Sequence, residues 1–219
     1  MTPAREAILG RLRGLAEPEG AEDAASSALR PTSYDDRALH FAAMLEAAGG
    51  RCRSVPDRAA LEREIAALAP VAEARIVASA LREVEGSVLG GGGPAVGAGG
   101  AALLDVSGVD DPHALAEVDV ALLPGHFGVA ENGAVWVNDH GLSQRALYFV
   151  PQHVVLVVPA DALVDTLHDA YERIAFEGRD FGCFIAGPSK TADIEQALVI
   201  GAHGPRSLTV FLVGEPPRG

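Results

Sequence analysis

Apolar residues recur at helical spacing in three stretches of the chain. The first helix is predicted to start with Ser33 as its N-cap and to stop at Gly49 and Gly50. Between these ends the apolar positions follow every three or four residues: Ala38, Phe41, Leu45 and Ala48. Two more helices are predicted at residues 57–69 and 161–175, with these residues on their inner faces: Leu61, Ile65 and Leu68, then Leu163, Leu167, Tyr171 and Ile174.

Segments with the length of strands alternate with these helices. Two short candidates occupy residues 51–55 and 75–79. Five apolar runs rich in β-branched residues lie at residues 119–123, 134–137, 154–158, 183–186 and 208–213. Continuous apolar strands are typical of sheets that are covered on both faces. The order of elements therefore predicts an α/β domain with a largely parallel sheet.

The first 32 residues have a different pattern. Residues 1–15 alternate charged and apolar positions as in a short amphipathic helix, and residues 16–32 have the small, acidic, proline-containing composition of a linker. We therefore expect an arm at residues 1–32 and one domain at residues 33–219.

Glycines crowd residues 90–100, where the dinucleotide-binding fingerprint G-x-G-x-x-A fits residues 97–102. That fingerprint needs a strand directly before it and a long helix after it, so that a pyrophosphate meets the amino end of the helix. Neither pattern is found on the flanking residues. We therefore expect a surface loop here.

The charge of the chain narrows the choice of partners. The 219 residues carry a formal charge of −13, from 17 basic and 30 acidic side chains. Such a surface repels a phosphate backbone, so nucleic acid is not an expected partner. No apolar stretch approaches the roughly 20 residues of a membrane-spanning helix, and residues 1–15 lack the apolar core of a secretory signal. We expect a cytoplasmic protein without membrane insertion.

Redox centres are not expected on this chain. Its two cysteines, Cys52 and Cys183, are too few for an iron–sulfur cluster with four thiolate ligands. Its seven histidines show none of the spacings typical of zinc sites. The sequence therefore predicts neither a metal site nor a resident cofactor.

Three segments carry side chains suited to chemistry, and the first surrounds Glu131. This carboxylate precedes the Asn132-Gly133 pair and the strand at residues 134–137. Asn-Gly is typical of a two-residue hairpin turn of the primed type, in which case Glu131 merely precedes the turn. Alternatively, the strand end presents a partly desolvated carboxylate with a raised pKa, fit for nucleophilic or acid–base catalysis.

The second segment follows the strand at residues 183–186. A Gly-Pro turn leads to Ser189, which we expect to cap a short helix. The free N–H groups of a helix start, with Lys190 and the hydroxyl groups of Ser189 and Thr191, would bind a carboxylate or phosphate. A capped helix without a ligand explains the same residues, and both interpretations stay open.

The third segment is the turn at residues 201–206, just before the last strand. Its glycines and proline alone would indicate only a rigid turn. His203 adds a titratable group, and Arg206 adds a guanidinium that can bind a carboxylate or phosphate through two hydrogen bonds.

These segments resemble the signature of the lactate-utilization C-subunit family, the LUD-domain proteins. The similarity runs through residues 187–195 and 201–206, and the shorter segment 129–133 matches as well. The resemblance implies a three-layer α/β/α fold like that of ribose-phosphate isomerase, glucosamine-phosphate deaminase and the CoA transferases. It also implies a role, with two iron–sulfur partner proteins, in oxidising L-lactate to pyruvate. The redox centres would lie on the partners.

The resemblance further implies a pocket for a small carboxylate or phosphate, with Glu131 and His203 as catalytic candidates. The ligand-binding candidates are His153, Gly187, Ser189, Lys190, Thr191, Asp193 and Arg206. His153 directly precedes the strand at residues 154–158, and a histidine that simply packs at a strand end explains it equally well. A homo-oligomer is compatible with this role.

Two departures from the family pattern keep other functions open. Asn132 replaces the usual threonine, and residues 126–127 replace a small residue and an acidic one. Residues 130–133 differ at one position from the Ser-Glu-Asn-Gly segment of CoA transferases, whose glutamate forms an acyl-CoA thioester. One alternative is therefore an independent enzyme of acyl-CoA or carboxylate chemistry with Glu131 as nucleophile. The other is an assembly or regulatory subunit whose pocket binds a small anion.

Overall fold

The computed structural model describes residues 32–81, 101–104, 106, 109, 111–140, 142–174, 181–191, 199–200 and 204–215, together with Arg5, Gly10 and Arg11. The chain divides into two compact units, Met1–Thr32 and Ser33–Gly219, and the fold given below is that of the second. The predicted amino-terminal helix, all but the last residue of the predicted linker, and the glycine-rich residues 90–100 lie outside the described residues, a few isolated positions apart.

The described residues of the second unit form four α-helices: α1 at Arg37–Ala47, α2 at Arg58–Ala66, α3 at Ala69–Ala72 and α4 at Leu167–Arg173. The first predicted helix is confirmed as α1, which buries Phe41 and Leu45. Its predicted cap, Ser33, is wrong. The N-cap is Asp36, whose carboxylate accepts a hydrogen bond from the Leu39 N–H at 2.8 Å.

The second predicted helix is confirmed as α2 and the short α3. Asp57 caps α2 through a hydrogen bond from the Ala60 N–H. Leu61, Ile65 and Leu68 are buried, as their spacing predicts.

The third predicted helix, at residues 161–175, is wrong in its extent. Residues Ala160–Ala162 form a 3-10 turn, and α4 begins only after Thr166, which makes a reciprocal capping box with Asp169. Leu163 is buried ahead of the helix, whereas Tyr171 is 66% exposed and does not point inward. Local capping outweighs the apolar spacing that extends back to residue 163.

The strands, in chain order, are β1 Arg51–Val55, β2 Ile76–Ser79, β3 Ala102–Leu104, β4 Val120–Pro124, β5 Phe127–Val129, β6 Ala134–Asn138, β7 His153–Pro159, β8 Gly182–Ile185, β9 Lys190–Thr191, β10 Val199–Ile200 and β11 Ser207–Val213. Six of them form one sheet in the order β1-β11-β7-β4-β2-β3, and every neighbouring pair is parallel. This sheet confirms the predicted α/β class with a largely parallel sheet.

Two of the predicted strands do not belong to the parallel sheet. β6 and β8 pair with β5 in a separate antiparallel sheet of order β5-β6-β8. All seven predicted strands are present, but the apolar runs do not reveal which sheet each strand joins.

The side chains of the parallel sheet alternate between two cores. On one face the buried residues pack with α2 and α3, including Leu61 and Ile65. On the other face they pack with Phe41 and Leu45 of α1 and with Val135 and Val137 of β6. The antiparallel sheet therefore shares the second face with α1, and its outer side packs against Ala170 of α4. Within the described residues no helix is both long and apolar enough to cross a membrane.

A carboxylate near the end of this outer layer fixes the start of α1. The Asp165 side chain, 10% exposed, accepts hydrogen bonds from Arg37 Nε at 2.8 Å and Arg37 Nη2 at 2.7 Å. It also accepts one from the Tyr34 N–H at 3.0 Å. The Arg37 guanidinium and then the Tyr34 N–H hold the pKa of Asp165 below its usual value, against the opposing effect of burial.

We expect Asp165→Asn to lower the free energy of unfolding at pH 7 by about 2–3 kcal/mol, because it leaves Arg37 without its charged partner. A lowered pKa in the folded state stabilises the protein above the pKa of the unfolded state, and that stabilisation is lost as the pH falls through the folded-state pKa. The difference between wild type and variant should therefore shrink below about pH 4. Urea unfolding at several pH values measures it.

Asp161→Asn, a change at an exposed aspartate in the neighbouring 3-10 turn, is the control and should have little effect at either pH. A difference for Asp165→Asn that stays constant from pH 7 to pH 3 would contradict the assignment.

Candidate functional site

The second and third predicted segments meet beside a cleft. The Ser189 N–H donates to the Pro205 carbonyl at 2.8 Å, and the Arg206 N–H donates to the Gln152 carbonyl at 2.7 Å. A Cβ atom placed on Gly204 would lie 2.9 Å from the Ser189 Cβ. The turn after β8 and the turn before β11 are therefore in direct contact.

The cleft has a volume of about 310 Å³. Its described lining comes from three segments: Tyr148 and Phe149, then Phe184, Ile185, Ala186, Gly187, Pro188 and Ser189, then Gly204 and Pro205. Tyr148 ends the 3-10 turn Arg145–Tyr148 that leads to β7. The cleft thus lies where the amino ends of β7 and β11 approach the end of β8. It is not at the carboxyl edge of the parallel sheet, where open α/β sheets commonly bind ligands.

The predicted short helix after Ser189 is wrong at its first residues. Lys190 and Thr191 form β9, which pairs antiparallel with Val199–Ile200 of β10. A helix start with free N–H groups is therefore not the feature that would bind an anion here. Asp193 and His203 lie outside the described residues.

Two cations adjoin the lining residues in the sequence. Lys190 and Arg206 directly follow the lining residues Ser189 and Pro205, and both side chains are exposed. The Lys190 Cε atom would be 3.8 Å from a Cβ atom at Gly49, so this side chain lies near the carboxyl end of α1. A cation there also complements the helix dipole, which is a structural explanation of Lys190.

His153 begins β7 beside Ser207, its partner in the register of β11. Its Nδ1 atom and the Ser207 Oγ atom share a hydrogen bond of 2.8 Å. Burial and then the charge of Arg206 lower the pKa of His153, against the opposing charges of Asp119 and Glu73. A neutral imidazole at neutral pH follows, with one ring nitrogen bound to a hydroxyl group.

Glu131 is in a different environment from these residues. Its Oε2 atom accepts a hydrogen bond at 2.7 Å from the N–H of Leu167, the first residue of α4, and its own N–H donates to the Asp165 carbonyl. Residues 165–167 follow the carboxyl end of β7, whereas His153 is at its amino end, roughly 20 Å away along the strand. Among the described residues, the hydrogen bonds of Glu131 do not reach the cleft.

The expectation that Glu131 is partly desolvated is wrong, because the residue is exposed. The hairpin itself is confirmed, but it is not a two-residue turn. Val129 pairs with Ala134, so the loop comprises residues 130–133, and the Asn132 Oδ1 atom accepts from the Ala134 N–H. The nucleophile hypothesis stays a prediction, and the contact with Leu167 favours an orienting role.

The aromatic walls of the cleft were not found from the sequence. Phe149 is 42% exposed, and Phe184 lies 4.8 Å from Trp136 between ring centroids. In the sequence alone, the Tyr-Phe-Val run before Pro151 is indistinguishable from buried core residues. Only the pairing of β8 with β6 brings Phe184 opposite Trp136 and up to the cleft.

Gly187→Ala should lower the free energy of unfolding by about 2–4 kcal/mol. Gly187 has φ +124°, and a Cβ atom there would lie 2.6 Å from the Ala48 carbonyl oxygen at the end of α1. Gly214→Ala is the matched control, because Gly214 has φ +91° with no atom within 4 Å of a Cβ. It should lose only about 1–2 kcal/mol in the same denaturation experiment. Equal losses would show that the contact with Ala48 contributes nothing.

Glu131→Gln should lower the free energy of unfolding by about 1–2 kcal/mol, because it removes a negative charge from the amino end of α4 while keeping an acceptor oxygen. Glu117→Gln, at another exposed glutamate, is the control. Intact-mass measurement with an acyl-CoA should detect no glutamyl thioester on either wild type or Glu131→Gln. An adduct on wild type alone would instead identify Glu131 as a nucleophile.

Comparison with known proteins gives concordant matches. The family model of the LUD domain matches residues 39–213. Lactate utilization protein C of Deinococcus radiodurans is 37% identical over 119 residues, which cover 51% of this chain and 55% of that protein. Lactate utilization protein C of Oceanobacillus iheyensis is 28% identical over 103 residues, 44% of each chain. The matched segments thus span about half the length of these curated relatives.

The fold has a counterpart among solved structures. A crystal structure of a DUF162 family protein from Deinococcus radiodurans matches with a TM-score of 0.54 and 20% sequence identity. The match covers 84% of this chain and 100% of that one. With the family model extending over most of the chain, from α1 to β11, the protein belongs to the LUD-domain family.

Proposed function

We propose that this chain works in lactate utilization, as a cytoplasmic subunit of a system that oxidises L-lactate to pyruvate together with iron–sulfur partner proteins. Membership of the LUD-domain family supports this role. So does the name of the curated relatives, Lactate utilization protein C.

The observation that carries the proposal is the meeting of the two most specific segments at one cleft. Residues 187–190 and 204–206 are separated in the sequence, yet the Ser189 N–H bonds directly to the Pro205 carbonyl. Both segments contribute lining residues to the same cleft. A signature divided between two turns that form one concave surface is typical of a binding site.

The residues around this cleft suit a small carboxylate or phosphate. Arg206 can bind such a group through two parallel hydrogen bonds, and Lys190 adds a second positive charge. The Ser189 hydroxyl group provides a further donor. The described lining itself has no charged side chain, so these exposed cations beside it are the groups proposed to pair with the anion. Asp193, Thr191 and His203 are proposed to belong to the same site through their positions in the two segments.

The electrons from lactate are proposed to leave through the partner proteins. Four thiolates are needed for an iron–sulfur cluster, and this chain has two cysteines on different strands. Burial, with a smaller contribution from Glu46, raises the pKa of Cys52 to about 12, and burial also raises the pKa of Cys183. Both thiols therefore stay protonated at neutral pH and are poor nucleophiles and metal ligands.

A tagged chain purified from its native cells grown on L-lactate should bring iron–sulfur proteins with it, detected by visible absorbance and mass spectrometry. Deletion of the gene should impair growth on L-lactate but not on pyruvate. The purified chain alone should not oxidise L-lactate, because the electron acceptors are on its partners.

The same deletion strain tests whether the role depends on the cleft or on any exposed arginine. Wild-type protein and Arg63→Ala, a change at an exposed arginine of α2, should restore growth, whereas Arg206→Ala should not. Normal growth of the deletion strain on L-lactate, or lactate oxidation by the chain alone, would overturn the proposed function.

A further inference from the structure

The cleft is large for a three-carbon acid. A volume of about 310 Å³ corresponds to roughly ten water molecules at about 30 Å³ each. Lactate, with a single methyl substituent, would leave much of this space to solvent. The cleft therefore has room for a ligand with a larger body than lactate.

The described walls of the cleft are suited to an apolar ring. Tyr148 is fully buried, and its hydroxyl group is used in hydrogen bonds to the Pro124 and Asn138 carbonyls at 3.2 and 3.1 Å. It therefore belongs to the base of the cleft and offers a ligand no free hydroxyl group. No described lining residue has a charged side chain, and Ser189 is the one besides Tyr148 that has a hydroxyl group.

Two further lining residues, Phe149 and Phe184, are aromatic, and neighbouring aromatic residues hold their rings in place. The Phe184 ring packs against Trp136 at 4.8 Å and against Tyr171 at 6.0 Å. The Phe149 ring meets Phe181 edge-on at 6.1 Å and is 42% exposed. Rings that are fixed in advance lose little conformational entropy when a ligand binds, and aromatic pairs add favourable edge-to-face contacts.

The residues next to the lining are positively charged, in contrast to the apolar lining itself. Lys190 and Arg206 are exposed directly beside the lining residues, although the chain as a whole has a charge of −13. A ligand that complements both features has an anionic group at one end and an apolar ring at the other.

We propose that the cleft binds carboxylic acids with an aromatic substituent in preference to lactate, with the carboxylate at Arg206 and the ring beside Phe149. This inference rests on the proposed function, because it assigns the carboxylate site to the same cleft. A 2-hydroxy acid such as 3-phenyllactate keeps the reacting part of lactate and adds the ring.

Isothermal titration of the full chain with L-lactate and with L-3-phenyllactate tests the preference. Phenyllactate should bind at least about tenfold more tightly, because its ring is removed from water on binding. The uncharged amide of phenyllactate should bind at least about tenfold more weakly than the acid, because it lacks the charge that pairs with Arg206.

Variants identify the wall that provides the preference. Phe149→Ala should reduce the ratio of phenyllactate affinity to lactate affinity by roughly fivefold or more, because the exposed ring of Phe149 forms one side of the cleft. Leu39→Ala, which shortens a 69% exposed apolar side chain on α1, should leave both affinities unchanged. Circular dichroism confirms that both variants are folded.

Equal binding of lactate and phenyllactate would overturn the inference and leave the proposed lactate role intact. Equal binding of the acid and its amide would overturn it as well, since the cations would then play no part. Absence of binding by either acid up to about 10 mM, an affinity too weak to matter, would overturn both this inference and the carboxylate site. The partner-protein part of the proposed function is tested separately, by co-purification.

Discussion

The hydrogen bonds that Asp165 accepts from Arg37 and Tyr34 determine where α1 lies, and the rest of the outer layer depends on α1. They join the start of the helix to a segment that follows β7. Eleven residues later the helix ends against the turn after β8, where Gly187 leaves no room for a side chain beside the Ala48 carbonyl. The same helix faces the hairpin loop, because a Cβ atom on Gly133 would lie 2.3 Å from the Leu45 nitrogen. One helix thus contacts both the hairpin with Glu131 and the turn after β8, the first two candidate segments.

The location of the cleft follows from the way two sheets share one face of the domain. β8 belongs to the antiparallel sheet, so the turn that follows it does not join the carboxyl edge of the parallel strands. It meets instead the segments that lead into β7 and β11, at the amino edge. The general rule for open α/β sheets applies to ligands held by strands of the parallel sheet. It does not apply here because the decisive turn comes from the other sheet.

Helices and strands could be predicted from the sequence better than the contacts between them, for a physical reason. Spacing of apolar residues identifies α1, α2 and the strands, because each must bury one face or both. Which residue caps a helix depends on hydrogen bonds between side chains and backbone a few residues apart. Apolar spacing does not reveal these bonds, so Ser33 was predicted as the N-cap in place of Asp36, and the residues before Thr166 were predicted as helix.

Contacts between distant segments were not predicted either. The pair Arg37 and Asp165 is separated by 128 positions, and the contact between Phe184 and Trp136 depends on strand register. Neither follows from local patterning. The same is true of the aromatic walls, which look like core until the sheets are assembled.

The shared helix also affects how substitutions at Glu131 are interpreted. Glu131 binds the backbone of Leu167, and its loop packs through Gly133 on Leu45. Ala48, which contacts the cleft turn, is three residues further along α1 and so lies on the same side of the helix. A change at Glu131 can therefore reach the cleft by moving the hairpin and then the helix, without any contact between Glu131 and a ligand. Loss of function in a Glu131 variant is consequently not sufficient to make Glu131 a catalytic residue. An unfolding measurement on the same variant tests the transmitted effect: because a change passed through α1 must also appear as lost stability, unchanged stability would exclude it.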